Sequence, residues 1–127
     1  MERLDPKATD RVSGPAWEPI RPQFNEINDA LLQVSKDTKG DLTTIYIKYS
    51  GPSTQGRPYA VVWVKKSTEL VVGFSLPETV VSPLLVSAPP KHKYAGLTKY
   101  LIIHPGDTLP SELATWVQEA YDTAKQQ

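Results

Sequence analysis

Apolar side chains recur along this chain with two different periods. In "RPQFNEINDALLQVSKDTKG" Phe24, Ile27, Leu31 and Val34 fall three to four residues apart, while Asn25, Glu26, Asn28 and Asp29 lie off that stripe. This is the spacing of a helix with one buried face, and it predicts a helix over 22–37 that ends at the glycine of "TKGD". The period then drops to two. In "LTTIYIKYS" Ile45, Ile47 and Tyr49 alternate with Thr44, Tyr46 and Lys48, the pattern of one strand with a dry face. "PYAVVWVKK" and "ELVVGFSLP" are rich in valine and aromatics and are divided by a short polar stretch, which predicts a hairpin. "GLTKYLIIHPGD" predicts a further strand ending in a Pro-Gly turn. The helical period returns in "DTLPSELATWVQEAYDTAKQQ", where Leu109, Leu113, Trp116, Val117, Ala120, Tyr121 and Ala124 share one stripe. Asp107 and Thr108 offer capping oxygens, Pro110 suits a first turn, and Glu112 suits the positive end of the helix dipole.

Together these elements predict an α+β domain over 19–127: an antiparallel sheet of about four to five strands, packed by an N-terminal and a C-terminal amphipathic helix. Residues 1–18 show no periodicity and are expected to form an irregular arm, pinned by the apolar Trp17. "PETVVSPLLVSAPPKHKYA", with its four prolines, is expected to be a packed crossover. The strand registers place Ile45, Ile47, Leu101 and Ile103 on the dry face and Tyr46, Lys48, Tyr100 and Ile102 on the other. "AVVWV" is apolar in both registers, so either Trp63 or the Val62/Val64 pair joins that second face. An open apolar face invites aggregation, so a cover is expected from the arm with Trp17 or from the crossover with Leu84 and Leu85.

The 127 residues suit one domain, and 39% hydrophobic with 22% charged residues is a soluble globular composition. No apolar run approaches the roughly 18 residues of a membrane span, and the N-terminus lacks the apolar core of a signal peptide. A cytoplasmic protein is the expectation. The absence of cysteine removes disulfides, zinc-thiolate sites and cysteine nucleophiles. Net charge is zero but unevenly distributed. Residues 1–41 carry eight acids and six bases, and residues 107–127 four acids and one base. Residues 42–106 carry only Glu69 and Glu78 against Lys48, Arg57, Lys65, Lys66, Lys91, Lys93 and Lys99.

Candidate chemistry is sparse. No G-x-S-x-G elbow and no phosphate-cradling glycine motif is present. The only acid between Leu42 and Leu76 is Glu69, which argues against a magnesium nuclease. Glu18, Glu26, Asp29, Asp37 and Asp41 are the acids that iron or another hard cation would use, and the resemblance of the architecture to small α+β domains that include a frataxin-like iron chaperone implies a weak iron- or metal-binding, chaperone-like domain as one alternative. His92 stands between Lys91 and Lys93, a poor place for a cation. His104 stands before the Pro-Gly turn, where its ring can meet a turn carbonyl or a carboxylate such as that of Asp107. No catalytic residue, no metal ligand set and no cofactor is assigned. The positive signal is a sheet face carrying Tyr46, Tyr100 and lysines. Lys48, Lys65, Lys66, Lys91, Lys93, Lys99, Tyr46, Tyr100 and His104 are the candidate ligand-binding residues. The first reading is a non-enzymatic binding or interaction module that takes a protein partner or a second copy. The alternative is a binder of nucleic acid or another anionic ligand through a basic sheet face. No membrane association is expected.

The stretches "GRPYAVVWVKKSTELVVGFSLP", "PPKHKYAGLTKYLIIHPGD" and "LPSELATWVQEAYD" resemble the small bacterial domain of unknown function 5655 family, over roughly Asn28 to Lys125. "ATWVQEAYD" and "LVVGFSLP" carry most of the resemblance, and neither is a catalytic motif. The resemblance implies a hairpin, a polar-ended strand and a closing helix with a Trp-x-x-x-Ala-Tyr signature. It also implies a terminal module found on some predicted transport proteins, with no established activity.

Overall fold

The computed structural model of the chain describes residues 3–87 and 96–126. It contains one five-stranded antiparallel sheet in which every strand pairs with its neighbours in sequence: β1 (Lys39–Thr43), β2 (Tyr46–Ser50), β3 (Ala60–Lys66), β4 (Glu69–Phe74) and β5 (Lys99–Ile103). Helices α2 (Arg21–Leu32) and α3 (Leu113–Lys125) cover one face. A short helix, α1 (Pro6–Arg11), lies in the N-terminal segment. The α+β architecture agrees with the two periods in the sequence. Six of the seven residues of the C-terminal stripe are buried, with Leu109 partly so, and Phe24, Ile27 and Leu31 are buried on α2.

Several local expectations are corrected. "LTTIYIKYS" is not one strand. It folds back at Thr44 and Ile45, with Thr44 at φ 47°, so that Thr43 pairs with Tyr46 and Leu42 with Ile47. Alternation survives such a fold-back, because both halves keep the period of two, so the pattern alone does not reveal the turn. Residues 3–18 are not irregular. Asp5 caps α1 by accepting from Lys7 N at 3.0 Å, and Leu4, Ala8, Val12 and Trp17 all enter the main core. The first long helix stops at Leu32, short of Asp37. The last begins at Leu113, and neither Asp107 nor Thr108 caps it. The Asp107 carboxylate instead accepts from His104 N at 2.8 Å, closing the Pro-Gly turn.

The main core runs along the row Leu42–Ile47–Val62–Val72–Leu101, reinforced by Phe74 against Trp116 and by Tyr59 edge-on to Tyr121 at 5.4 Å. The two fully buried tyrosine hydroxyls are paired with helix α2: Tyr49 donates to Asn28 Oδ1 at 2.8 Å, and Tyr59 to the Leu31 carbonyl at 2.5 Å. Burial pushes both phenols above their ordinary range, because ionising them would leave a charge in the apolar layer. On the neighbouring loops Asp37 accepts from Ser35 Oγ and from Ser53 Oγ, and these bonds hold its carboxyl below the usual value.

Candidate functional site

The second sheet face is where the candidate residues were expected to gather, and the registers define it. One row runs Asp41–Lys48–Val61–Gly73–Tyr100, and the next Thr43–Tyr46–Trp63–Val71–Ile102. Trp63, not the Val62/Val64 pair, belongs to this face, since Val62 and Val64 are in the main core. Ile45 departs from its expected side as well. The fold-back at Thr44 sends it to the Trp63 cluster, together with Tyr46.

The centre of this face is closed. Trp63 is 5% exposed, and Val61, Val71, Leu97 and Tyr100 are buried around it. Tyr46 and Tyr100 flank the indole, each with its ring centroid 6.0 Å away, a tilted arrangement that adds to the area term. Gly73 makes the closure work. A Cβ there would lie 2.8 Å from Leu97 Cδ1 and 2.9 Å from Tyr100 Cε2, so any side chain would push both off the sheet. The expected covers sit elsewhere: Trp17 and, partly, Leu85 pack on the main core, and Leu84 is half exposed. Among the described residues it is Leu97, Ile45 and Tyr46 that pack on the cluster.

The described lysines do not converge into one patch. Lys48 lies across from Asp41 in the register. Lys65 and Lys66 are exposed at the β3–β4 hairpin, where Lys66 pairs with Glu69. Lys99 is opposite Phe74, which pairs with Ala60, at the other end of the sheet. The six residue rises from Ala60 to Lys66 separate the two ends by about 20 Å. Lys91, Lys93 and His92 lie outside the described residues. Tyr100, being buried, has no ring face to offer a nucleobase.

His104 is exposed at the end of β5 between two carboxylates, with Nδ1 3.6 Å from Asp107 Oδ2 and Nε2 3.8 Å from Glu69 Oε1. The Asp107 contact was legible in the turn spacing. The Glu69 contact was not, because it depends on Leu70 pairing with Ile103, which brings the β4 start beside the β5 end. Among the described residues no hydroxyl joins this set, and no group of three His, Asp or Glu side chains is placed to hold a metal ion. The acids proposed for a cation are scattered: Asp41 is on β1, Asp37 is engaged with serines, and Glu26 and Asp29 stand on α2.

What the sequence reading missed is the rim of the second face. The large apolar side chains left exposed among the described residues are Val81 at 81%, Leu84 at 50%, Val86 at 41% and Ile102 at 38%. They lie in β5 and in the segment beside it: Val86 forms a bridge with Tyr100, exchanging both main-chain bonds at 2.8 Å. The run "VVSPLLV" could have signalled this, since it is apolar without helical or strand period. Among the described residues no helix is long and apolar enough to cross a membrane. The chain matches no family model, no curated protein and no solved structure.

Proposed function

We propose that the chain is a non-enzymatic interaction module whose contact surface is the apolar rim beside β5, and that the contact it fits is with a second copy. The observation that carries this reading is that Leu84, Val86 and Ile102 are exposed along β5 and the segment bridged to it at Val86 and Tyr100, beside the buried Trp63 cluster. Isolated surface apolars need no explanation, whereas a contiguous set marks a contact surface. A two-fold contact lays such a patch on itself, apolar against apolar. Zero net charge leaves no long-range repulsion between copies. The exposure of His104, with no hydroxyl beside it among the described residues, and the spread of the described lysines favour contact over catalysis or anion binding. Kinship with the domain of unknown function 5655 family belongs to the same reading. Its support is that Trp116, Ala120 and Tyr121 of "ATWVQEAYD" are all buried core residues.

Sedimentation equilibrium across a wide concentration range tests this. A monomer–dimer equilibrium is expected, weakened by about tenfold or more in Leu84→Lys/Ile102→Lys. A chain that stays monomeric at millimolar concentration, or a dimer indifferent to both lysines, overturns it.

A further inference from the structure

The helical layer carries a second surface, on the opposite side of the sheet from the apolar rim. Between α2 and the segment leading into α3 lies a groove of about 410 Å³. It adjoins a shallower one of about 230 Å³ that shares Ala30, Gln33 and Ala114 with it. Its apolar lining is Ala30, Leu109, Pro110 and Ala114 over the buried Leu113 and Val117, and the small side chains at Ala30 and Ala114 leave the seam between the helices open. One wall carries Glu26 and Asp29, both exposed, and neither forms an ion pair among the described residues. The charged residues that line the groove, Glu26 and Asp29, are both acids. Along α2 and its C-cap the lining runs from Glu26 to Gln33, seven rises or about 10 Å, close to two helical turns.

We infer that this groove docks a basic amphipathic helix of a partner protein. Two turns of floor accept apolar side chains at i, i+4 and i+7, the spacing by which a helix lies in a groove between two others. The acidic wall then meets lysines or arginines flanking that stripe, which orients the helix and excludes acidic competitors. The inference concerns a different surface from the proposed self-contact and stands or falls separately from it.

The test is fluorescence anisotropy with a labelled 14-residue helical peptide, leucine at the stripe positions and lysine elsewhere, against its glutamate counterpart and a proline-broken lysine isomer. The lysine helix is expected to bind about tenfold or more tighter than either control. Glu26→Lys/Asp29→Lys should weaken it by about tenfold, and Ala114→Trp, which fills the floor at an exposed helix position, by a similar factor. Asp10→Lys/Glu18→Lys, the same charge change on exposed residues outside the groove, should leave affinity within about twofold. Circular dichroism confirms that each variant is folded. Equal weakening by the Asp10/Glu18 pair, indifference to Ala114→Trp, equal binding of the broken isomer, or no binding of the lysine helix at millimolar peptide each overturns the inference.

Discussion

The two margins of the sheet are finished in different ways. Along β1 the outer main-chain groups are bonded by the N-terminal segment: Asp5 N donates to the Gly40 carbonyl at 2.8 Å, Gly40 N to the Arg3 carbonyl at 3.0 Å, and Leu42 N to Asp5 Oδ2 at 3.2 Å. Leu4 sits over Gly40 and is buried. A single acid, Asp5, serves both as the cap of α1 and as an acceptor for the strand edge. Along β5, among the described residues, one bridge at Val86 serves that role, and Leu84, Val86 and Ile102 beside it are apolar and exposed. Proteins close sheet margins to avoid unwanted pairing. The β1 margin is closed with polar bonds and core contacts, whereas the β5 margin, left apolar, is the one proposed above as the contact surface.

The comparison can be broken most severely at the closed margin. Leu4→Ala should cost about 2–3 kcal/mol, since it removes a buried side chain beside β1. Thermal or urea unfolding measures it, and a loss under about 0.5 kcal/mol would show that the N-terminal segment merely rests on the sheet. High pH attacks the layer beneath the same margin. Tyr49 and Tyr59 have folded-state phenol pKa values raised above the unfolded value near 10, so their contribution is complete below pH 10. It should decline as pH rises from there toward the folded values. Urea midpoints between pH 9 and 12 report this, and a flat profile would contradict the burial of both hydroxyls. Asp5→Ala should cost about 1–2 kcal/mol, the worth of one helix cap and a strand-edge bond. Amide exchange should quicken at Leu42 in that variant; unchanged protection there would assign the cap alone to Asp5.

The smallest effect on stability belongs to the open margin. Ile102→Lys should change the monomer's unfolding free energy by less than about 0.5 kcal/mol, because the side chain is already partly in water. A loss comparable to that of Leu4→Ala would mean that both margins are structural and would remove the distinction between them.

Much of this fold was legible in the chain. The stripes that became α2 and α3 and the valine- and aromatic-rich runs that became β3 and β4 are local signals, because a helix's buried face repeats with backbone geometry and strands favour branched and aromatic side chains. The fold-back at Thr44 and Ile45 was not legible: Thr-Ile is not a turn dipeptide, and alternation continues through it. The helix in the N-terminal segment was missed for a related reason. Six residues give less than two turns of periodicity, and α1 is held by Asp5 and by contacts with β1 instead.

The candidate site divides along the same line. The sequence by itself determined which residue types were available: no cysteine, two histidines, a basic middle between acidic ends, and aromatics within the strands. It also determined that Asp107 lies near His104, three residues away across a turn. Only the tertiary structure decided that Glu69 reaches the same ring and that Lys48 faces Asp41. It alone separated Lys65 and Lys66 from Lys99 by the length of the sheet and buried Tyr100 beneath Leu97. It also decided that the exposed apolar surface falls beside β5 and the acidic groove between α2 and α3. The reason is physical: periodicity reports which face of one element is buried. Which charges meet and which apolar groups remain in water depend on strand register, and register joins residues that are distant in the chain.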